Sequence, residues 1–130
     1  MVISQANWDE LLAHARDSVP YECCGYARVA DGRVDEVFRG KNVLETSQMY
    51  GYMLDSDSLF RAHQLEDDGF EVVAYHAHPN SAAEPSQTDI NLARYPHWRY
   101  VIVSASEEPS VRCWRIADGR VEEEDVAVDG

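Results

Sequence analysis

Val72 to Pro79 reads Val-Val-Ala-Tyr-His-Ala-His-Pro, and no other stretch restricts the fold of this chain so tightly. Val72–Ala77 is an apolar run that favours β structure, which predicts a buried strand. Side chains two apart on a strand leave the same face, so His76 and His78 point one way, roughly 7 Å apart at ~3.3 Å per residue. Two imidazoles so placed can converge on one ion through bonds of ~2.0–2.1 Å. Pro79 has no N–H to give a sheet ladder and ends the strand directly after the pair. A polar loop, Asn80–Pro85, leads to Ser86, and Asp89 follows in the first turn of a predicted helix. Folded back, the loop brings Asp89 to the histidines. Two nitrogens and a carboxylate with a fourth position open are the donor set of a hydrolytic zinc site.

Each part also has a plainer reading. Ser86-x-x-Asp89 ahead of Ile90 and Leu92 is an ordinary helix N-cap with an acid in its first turn. A single strand histidine is more often a hydrogen-bonded, half-buried residue than a ligand. The pair, the proline and the acid placed by a strand–loop–helix turn together favour a metal. Ser86 can cap the helix and serve the site at once.

At 130 residues the chain predicts one domain, 1–130. That is too short for an eight-stranded α/β barrel, which removes the barrel amidohydrolases and their own strand-borne His-x-His. No apolar run reaches membrane-spanning length, and polar residues interrupt Met1–Leu12, so a soluble, cytoplasmic protein without membrane contact is expected. Twenty-four acidic against 11 basic residues give a formal charge of −13. Such a surface repels phosphate backbones and argues against a nucleic-acid partner; a basic protein partner or simple solubility in salt both fit. Cys23, Cys24 and Cys113 are odd in number and form no C-x-x-C, which predicts reduced, buried thiols.

Ser4 is a candidate cap for a helix over 4–19, where Trp8, Leu11, Leu12 and Ala15 make one apolar stripe before Pro20. Cys23–Ala30 and Val34–Phe38 read as a hairpin about Asp31-Gly32. Gln48–Leu54 reads as a third strand, and Asp55 or Ser56 caps a helix running to about Asp67. After the histidine strand and the Ser86–Arg94 helix come strands at Tyr100–Ser104, Val111–Ile116 and Val121–Val128, the last two joined at Asp118-Gly119. The predicted class is α/β (mixed), a curved mixed β-sheet flanked by helices in the order α-β-β-β-α-β-α-β-β-β. Acidic Glu122–Asp125 suits a solvated edge strand. His14 and His63 are expected partly exposed on helices and His97 in a loop, while Trp98, Tyr100 and Trp114 read as core or rim aromatics.

Zinc hydrolysis also needs a general base beside the metal. Glu22, next to a strand and near Gly25, is one acid among many, and spacing alone leaves it a solvent-exposed charge. However, Glu22-Cys23-Cys24-Gly25, His76-x-His78-Pro79 and Ser86-x-x-Asp89, in that order with six residues between Pro79 and Ser86, resemble the full signature of the JAMM (MPN-plus) zinc metallopeptidases. These include the metal-dependent deubiquitinating enzymes and small prokaryotic relatives. The resemblance implies a JAMM/MPN-type domain with His76, His78 and Asp89 as Zn2+ ligands. It makes Glu22 the general acid/base and Ser86 the stabiliser of the oxyanion. Ala13-His14-Ala15-Arg16, Tyr52–Ser56, Tyr75-His76, Pro85–Asp89 and Trp114–Gly119 further resemble a short bacterial group that removes cysteine from the C-terminus of a small ubiquitin-like sulfur-carrier protein. The implied substrate ends in a flexible Gly-Gly tail, which Lys41–Met49 could pair with as an added strand. Cleavage of a ubiquitin-like modifier from lysine is the alternative, and a non-catalytic MPN scaffold the second. Related domains often pair, which leaves room for a homodimer.

Other zinc and cupin patterns fit less well. A cytidine-deaminase site needs His-x-Glu and Pro-Cys-x-x-Cys, and position 78 is histidine. No His-Glu-x-x-His helix is present. A cupin would use His76, His78 and Glu84 but needs a further strand histidine, and His97 beside Pro96 does not supply one.

Overall fold

Three side-chain caps and two Asp-Gly turns divide the chain into its elements. In the structure, a computed structural model describing residues 1–130, the Ser4 hydroxyl accepts from the Asn7 amide at 3.1 Å and opens α1 (Gln5–Ser18). Asp55 caps α2 (Ser56–Asp67) and Ser86 caps α3 (Gln87–Leu92). Asp31-Gly32 and Asp118-Gly119 all have positive φ, the two-residue hairpin geometry that follows the twist of the flanking strands. They join β2 (Cys24–Ala30) to β3 (Arg33–Arg39), and β6 (Ser110–Ala117) to β7 (Arg120–Glu124).

With β1 (Val2–Ser4), β4 (Glu71–His78), β5 (Arg99–Ser104) and β8 (Ala127–Asp129), these form one eight-stranded sheet ordered β7-β6-β5-β4-β2-β3-β1-β8. Its central strand, β4, runs antiparallel to β2 and parallel to β5. The alternation of β4 separates two cores. Val73, Tyr75 and Ala77 pack with Leu11, Leu12 and Ala15 of α1 on one face. Val72 and Ala74 pack with Ala62 of α2 and with Trp98 and Tyr100 on the other. His76 and His78 share the second face by period two. No helix is long and apolar enough to cross a membrane.

The mixed α/β class is as expected, but the element order differs. Gln48–Leu54 is not a strand: apart from one bridge between Asn42 and Leu54, residues 42–54 form a compact loop. Asn42 explains this, because its amide donates to the carbonyls of Glu22 and Gly51 and accepts from the amides of Leu44 and Met53. A side chain that occupies four backbone groups leaves little for a ladder. The short β1, unseen in the sequence, pairs in parallel with β3 and β8. Val121–Val128 is two strands, not one. β7 and β8 lie at opposite ends of the sheet order although only Asp125 and Val126 separate them, so the sheet curls until its edges meet. The acidic run Glu122–Asp125 lies on and just past the edge strand β7 with Glu122, Glu123 and Asp125 exposed, as expected, and Glu123 pairs with Arg112 and Glu124 with Arg99. His14 is buried, with Nδ1 2.6 Å from the Tyr75 hydroxyl, rather than partly exposed.

Gly25 lies directly across from Tyr75 in the β2–β4 ladder. A Cβ there would sit 2.4 Å from the Phe38 carbonyl oxygen and 2.5 Å from the Tyr75 ring. One of these atoms is backbone and the ring is fully buried, so neither can yield cheaply. Gly25→Ala should cost about 1–3 kcal/mol or more of stability, read as a lowered denaturation midpoint.

Candidate active site

Sheet register, rather than sequence proximity, assembles the site. Cys24 lies opposite His76 in the antiparallel β2–β4 ladder. The Ala77 amide continues that ladder by donating to the Cys23 carbonyl at 3.1 Å. One step further, Glu22 falls opposite His78 and on the same face as both histidines. The backbone of Glu22 is fixed from the loop: its amide donates to the Gln48 carbonyl at 2.8 Å and its carbonyl accepts from Asn42. Glu22, His76, His78 and Asp89 are all buried, and one donor atom from each lies within 4.8 Å of the others.

Asp89 arrives by a capping box. The Ser86 hydroxyl accepts from the Asp89 amide at 3.1 Å, while Asp89 Oδ2 accepts from the Ser86 amide at 2.9 Å. The same Oδ2 lies 3.1 Å from Nε2 of His76 and 3.1 Å from Nε2 of His78. The two Nε2 atoms are 3.2 Å apart. The cap and the cluster thus share one carboxylate oxygen. Ser86 is itself exposed, and having accepted from Asp89 it keeps its O–H free to donate.

This triangle fits a cation. A tetrahedral ion with bonds of ~2.0–2.1 Å holds its donors ~3.3–3.4 Å apart, close to the spacing found. His78 Nδ1 faces the Ala82 carbonyl oxygen at 2.8 Å, and since a carbonyl only accepts, Nδ1 carries the proton. The neutral ring then turns a bare lone pair at Nε2 toward the Asp89 carboxylate, which only a proton or a cation between them reconciles. Glu22 Oε1 and His76 Nδ1 are buried without a hydrogen-bond partner. Tyr52 stacks on the His76 ring, centroids 4.3 Å apart and planes within 18°.

Burial shapes the charges. It pushes the Glu22 carboxyl up to about 7, against the pull of His78 and with a further push from Asp89. Burial would also raise Asp89, but the two imidazoles and the Ser86 amide outweigh it and hold the carboxyl far below its usual range. Burial lowers His76 despite Asp89. In His78 the Asp89 carboxylate and the Ala82 carbonyl win over burial and raise it. One carboxylate is thus firmly ionised and the other is poised near neutrality, the separation that acid–base chemistry needs.

All five residues singled out in the sequence come together here: Glu22, His76, His78 and Asp89 as a buried cluster, with Ser86 at its rim. Asn42, Gln48 and the stacking role of Tyr52 carried no sequence signal. The three cysteines are free and buried; burial raises the Cys23 thiol to about 12 and Cys113 to about 11, so none is primed for nucleophilic work.

Fold and site together define a JAMM/MPN-type domain. More narrowly, the chain belongs to the prokaryotic homologs of the JAB domain, whose family model matches residues 4–117. It is 37% identical over 124 residues to a CysO-cysteine peptidase of Mycobacterium tuberculosis, covering 91% of this chain and 84% of the relative. A desampylase of Haloferax volcanii is 29% identical over 113 residues, 82% of this chain and 81% of that one. A Desulfitobacterium hafniense protein solved in solution superposes with a TM-score of 0.81 at 27% identity, covering 99% of this chain and 93% of its own.

Because the folded-state value of Glu22 is raised from 4.5, its protonated form stabilises the metal-free protein below about that pH, and the contribution is lost as pH climbs through about 7. Chelator-treated Glu22→Gln should match wild type near pH 4.5 and exceed it by about 1–3 kcal/mol at pH 8, measured by chemical denaturation.

Proposed function

We propose that this protein is a zinc-dependent peptidase that hydrolyses the amide bond after the C-terminal Gly-Gly of a ubiquitin-like sulfur-carrier protein and releases cysteine. The observation that carries the reading is the convergence of buried Glu22, His76, His78 and Asp89, one donor atom from each within 4.8 Å of the others. A scaffold domain has no use for four buried polar groups, two of which leave atoms unsatisfied. The likeness to the CysO-cysteine peptidase supports the substrate. The likeness to the desampylase favours a second reading, release of a ubiquitin-like modifier from lysine.

In this reading His76, His78 and Asp89 would hold the ion, and the Ala82 carbonyl fixes the tautomer of His78. The cation supplies positive charge that polarises a carbonyl and makes water acidic at neutral pH. Glu22 takes the proton that the attacking water loses. It then delivers that proton to the departing amine, the role its upward shift suits. The Ser86 O–H, free after capping, donates to the oxyanion. Tyr52 holds the His76 ring by stacking and shields it from water.

Intact-mass analysis with a carrier ending in Gly-Gly-Cys and with a Gly-Gly–lysine conjugate separates the readings. Loss of cysteine alone supports the first; cleavage of the isopeptide alone overturns it. Zinc removal should abolish turnover and added Zn2+ restore it. Glu22→Gln should remove activity while zinc content by elemental analysis stays near one equivalent. Ser86→Ala should lose on the order of 10²–10³ in kcat, and about 1 kcal/mol of stability through the lost cap.

A further inference from the structure

Beside the Tyr52–His76 stack opens a cavity of about 330 Å³ that the hydrolytic chemistry does not use. Ten of its 13 lining residues are hydrophobic, among them Leu59 of α2, Tyr52 of the 42–54 loop, and Tyr95, Trp98 and Tyr100. Its wall is preformed: Tyr95 stacks on Trp98 at 4.2 Å, and the Tyr100 hydroxyl accepts from the Tyr95 amide at 2.9 Å. Its rim is apolar and open to solvent, with Val43 45%, Met53 50% and Leu92 43% exposed. Large apolar side chains gathered at the mouth of a preformed cavity are a docking feature rather than random surface.

One cation lines this cavity. Seven of the 11 lysines and arginines are ion-paired, as expected where acids outnumber them two to one. Arg94 is exposed at the cavity and makes neither an ion pair nor a side-chain hydrogen bond, and no acidic residue lines the cavity with it. On a surface of net charge −13, an incoming carboxylate is favoured where a cation is not already neutralised.

We propose that this cavity and Arg94 form the specificity site for the carrier's tail, which takes one apolar and one acidic side chain in the two positions preceding Gly-Gly. This rests on the peptidase reading above. An extended tail advances ~3.3 Å per residue, so two glycines cover roughly 7 Å from the scissile bond. Tyr52 both stacks on His76 and lines the cavity, so a tail leaving the cluster passes along this ring to reach the cavity. The next two residues are the first able to carry side chains, and on an extended chain they point oppositely. One enters the apolar cavity; the other faces out to Arg94 at the mouth. Carriers with basic tails are turned away by the same guanidinium.

The test uses synthetic peptides ending in Leu-Glu-Gly-Gly-Cys, Glu-Leu-Gly-Gly-Cys and their Lys-for-Glu and Ala-for-Leu counterparts. Cleavage is followed with the zinc-loaded enzyme, and binding by fluorescence anisotropy with the Glu22→Gln variant. The better Leu/Glu order should exceed its lysine counterpart by about three- to thirtyfold in kcat/KM and in affinity, a margin that shrinks in high salt. Replacing Leu by Ala should lose about tenfold or more. Arg94→Glu should invert the Glu-over-Lys preference, which a merely structural arginine would not do. An unchanged preference in Arg94→Glu, or equal binding of Leu and Ala peptides, overturns the proposal. Ordered binding without cleavage of any peptide supports this site and overturns the peptidase reading instead.

Discussion

The ladder between β2 and β4 is the constraint on which the site depends. A strand's side chains change face with every residue, so a one-residue slip would turn His76 and His78 into the α1 core and carry Glu22 away from them. The hydrogen bond from Ala77 to Cys23 extends the pairing past the formal end of β2, just far enough to bring Glu22 level with His78. Tyr75 locks that register from behind. Its ring lies against Gly25, where only a missing Cβ admits it, and its hydroxyl meets His14 of α1. The face that carries the Glu22, His76, His78 and Asp89 cluster is thus held from the opposite face of the sheet.

The site is also an unfavourable arrangement for a protein to fold around. Glu22 and Asp89 are both buried carboxylates, and only Asp89 has close partners for its charge. Asp89 offsets its burial through two imidazoles and an amide. Glu22 does so by tending toward its neutral form. Two carboxylates a few ångströms apart have been given opposite protonation preferences by their partners alone, and a cation at the triangle would stabilise both as anions.

What the sequence made legible follows from how local each signal is. Caps at Ser4, Asp55 and Ser86 and turns at Asp31-Gly32 and Asp118-Gly119 are written within four residues, and all appear in the structure. His76, His78 and Asp89 were readable because strand period and capping box are also local rules. Glu22 was not: its place depends on a partner strand more than 50 residues away, and only resemblance singled it out. The same limit hid β1, whose partners are β3 and β8, and the burial of His14, whose partner Tyr75 is 61 residues distant. Gln48–Leu54 misled by composition, since its apolar residues suit a strand while the Asn42 side chain occupies the backbone groups a strand would use.

The meeting of the sheet's two edges sets an order on how the molecule can come together. Val2 finds one partner in Arg33 but its other in Ala127, a loop closure spanning nearly the full chain. Such long-range pairing is slow, because the entropy of closure is lost before any contact compensates it. Residues 22–89, which hold every group of the site, need nothing from that seam. The 80–85 loop that orients His78 is held from β5 and β6, where Ser104 donates to the Ser81 carbonyl and Trp114 to the Ala83 carbonyl, so the cluster can take shape once β6 has joined the sheet, and sealing of the seam becomes the closing event of folding.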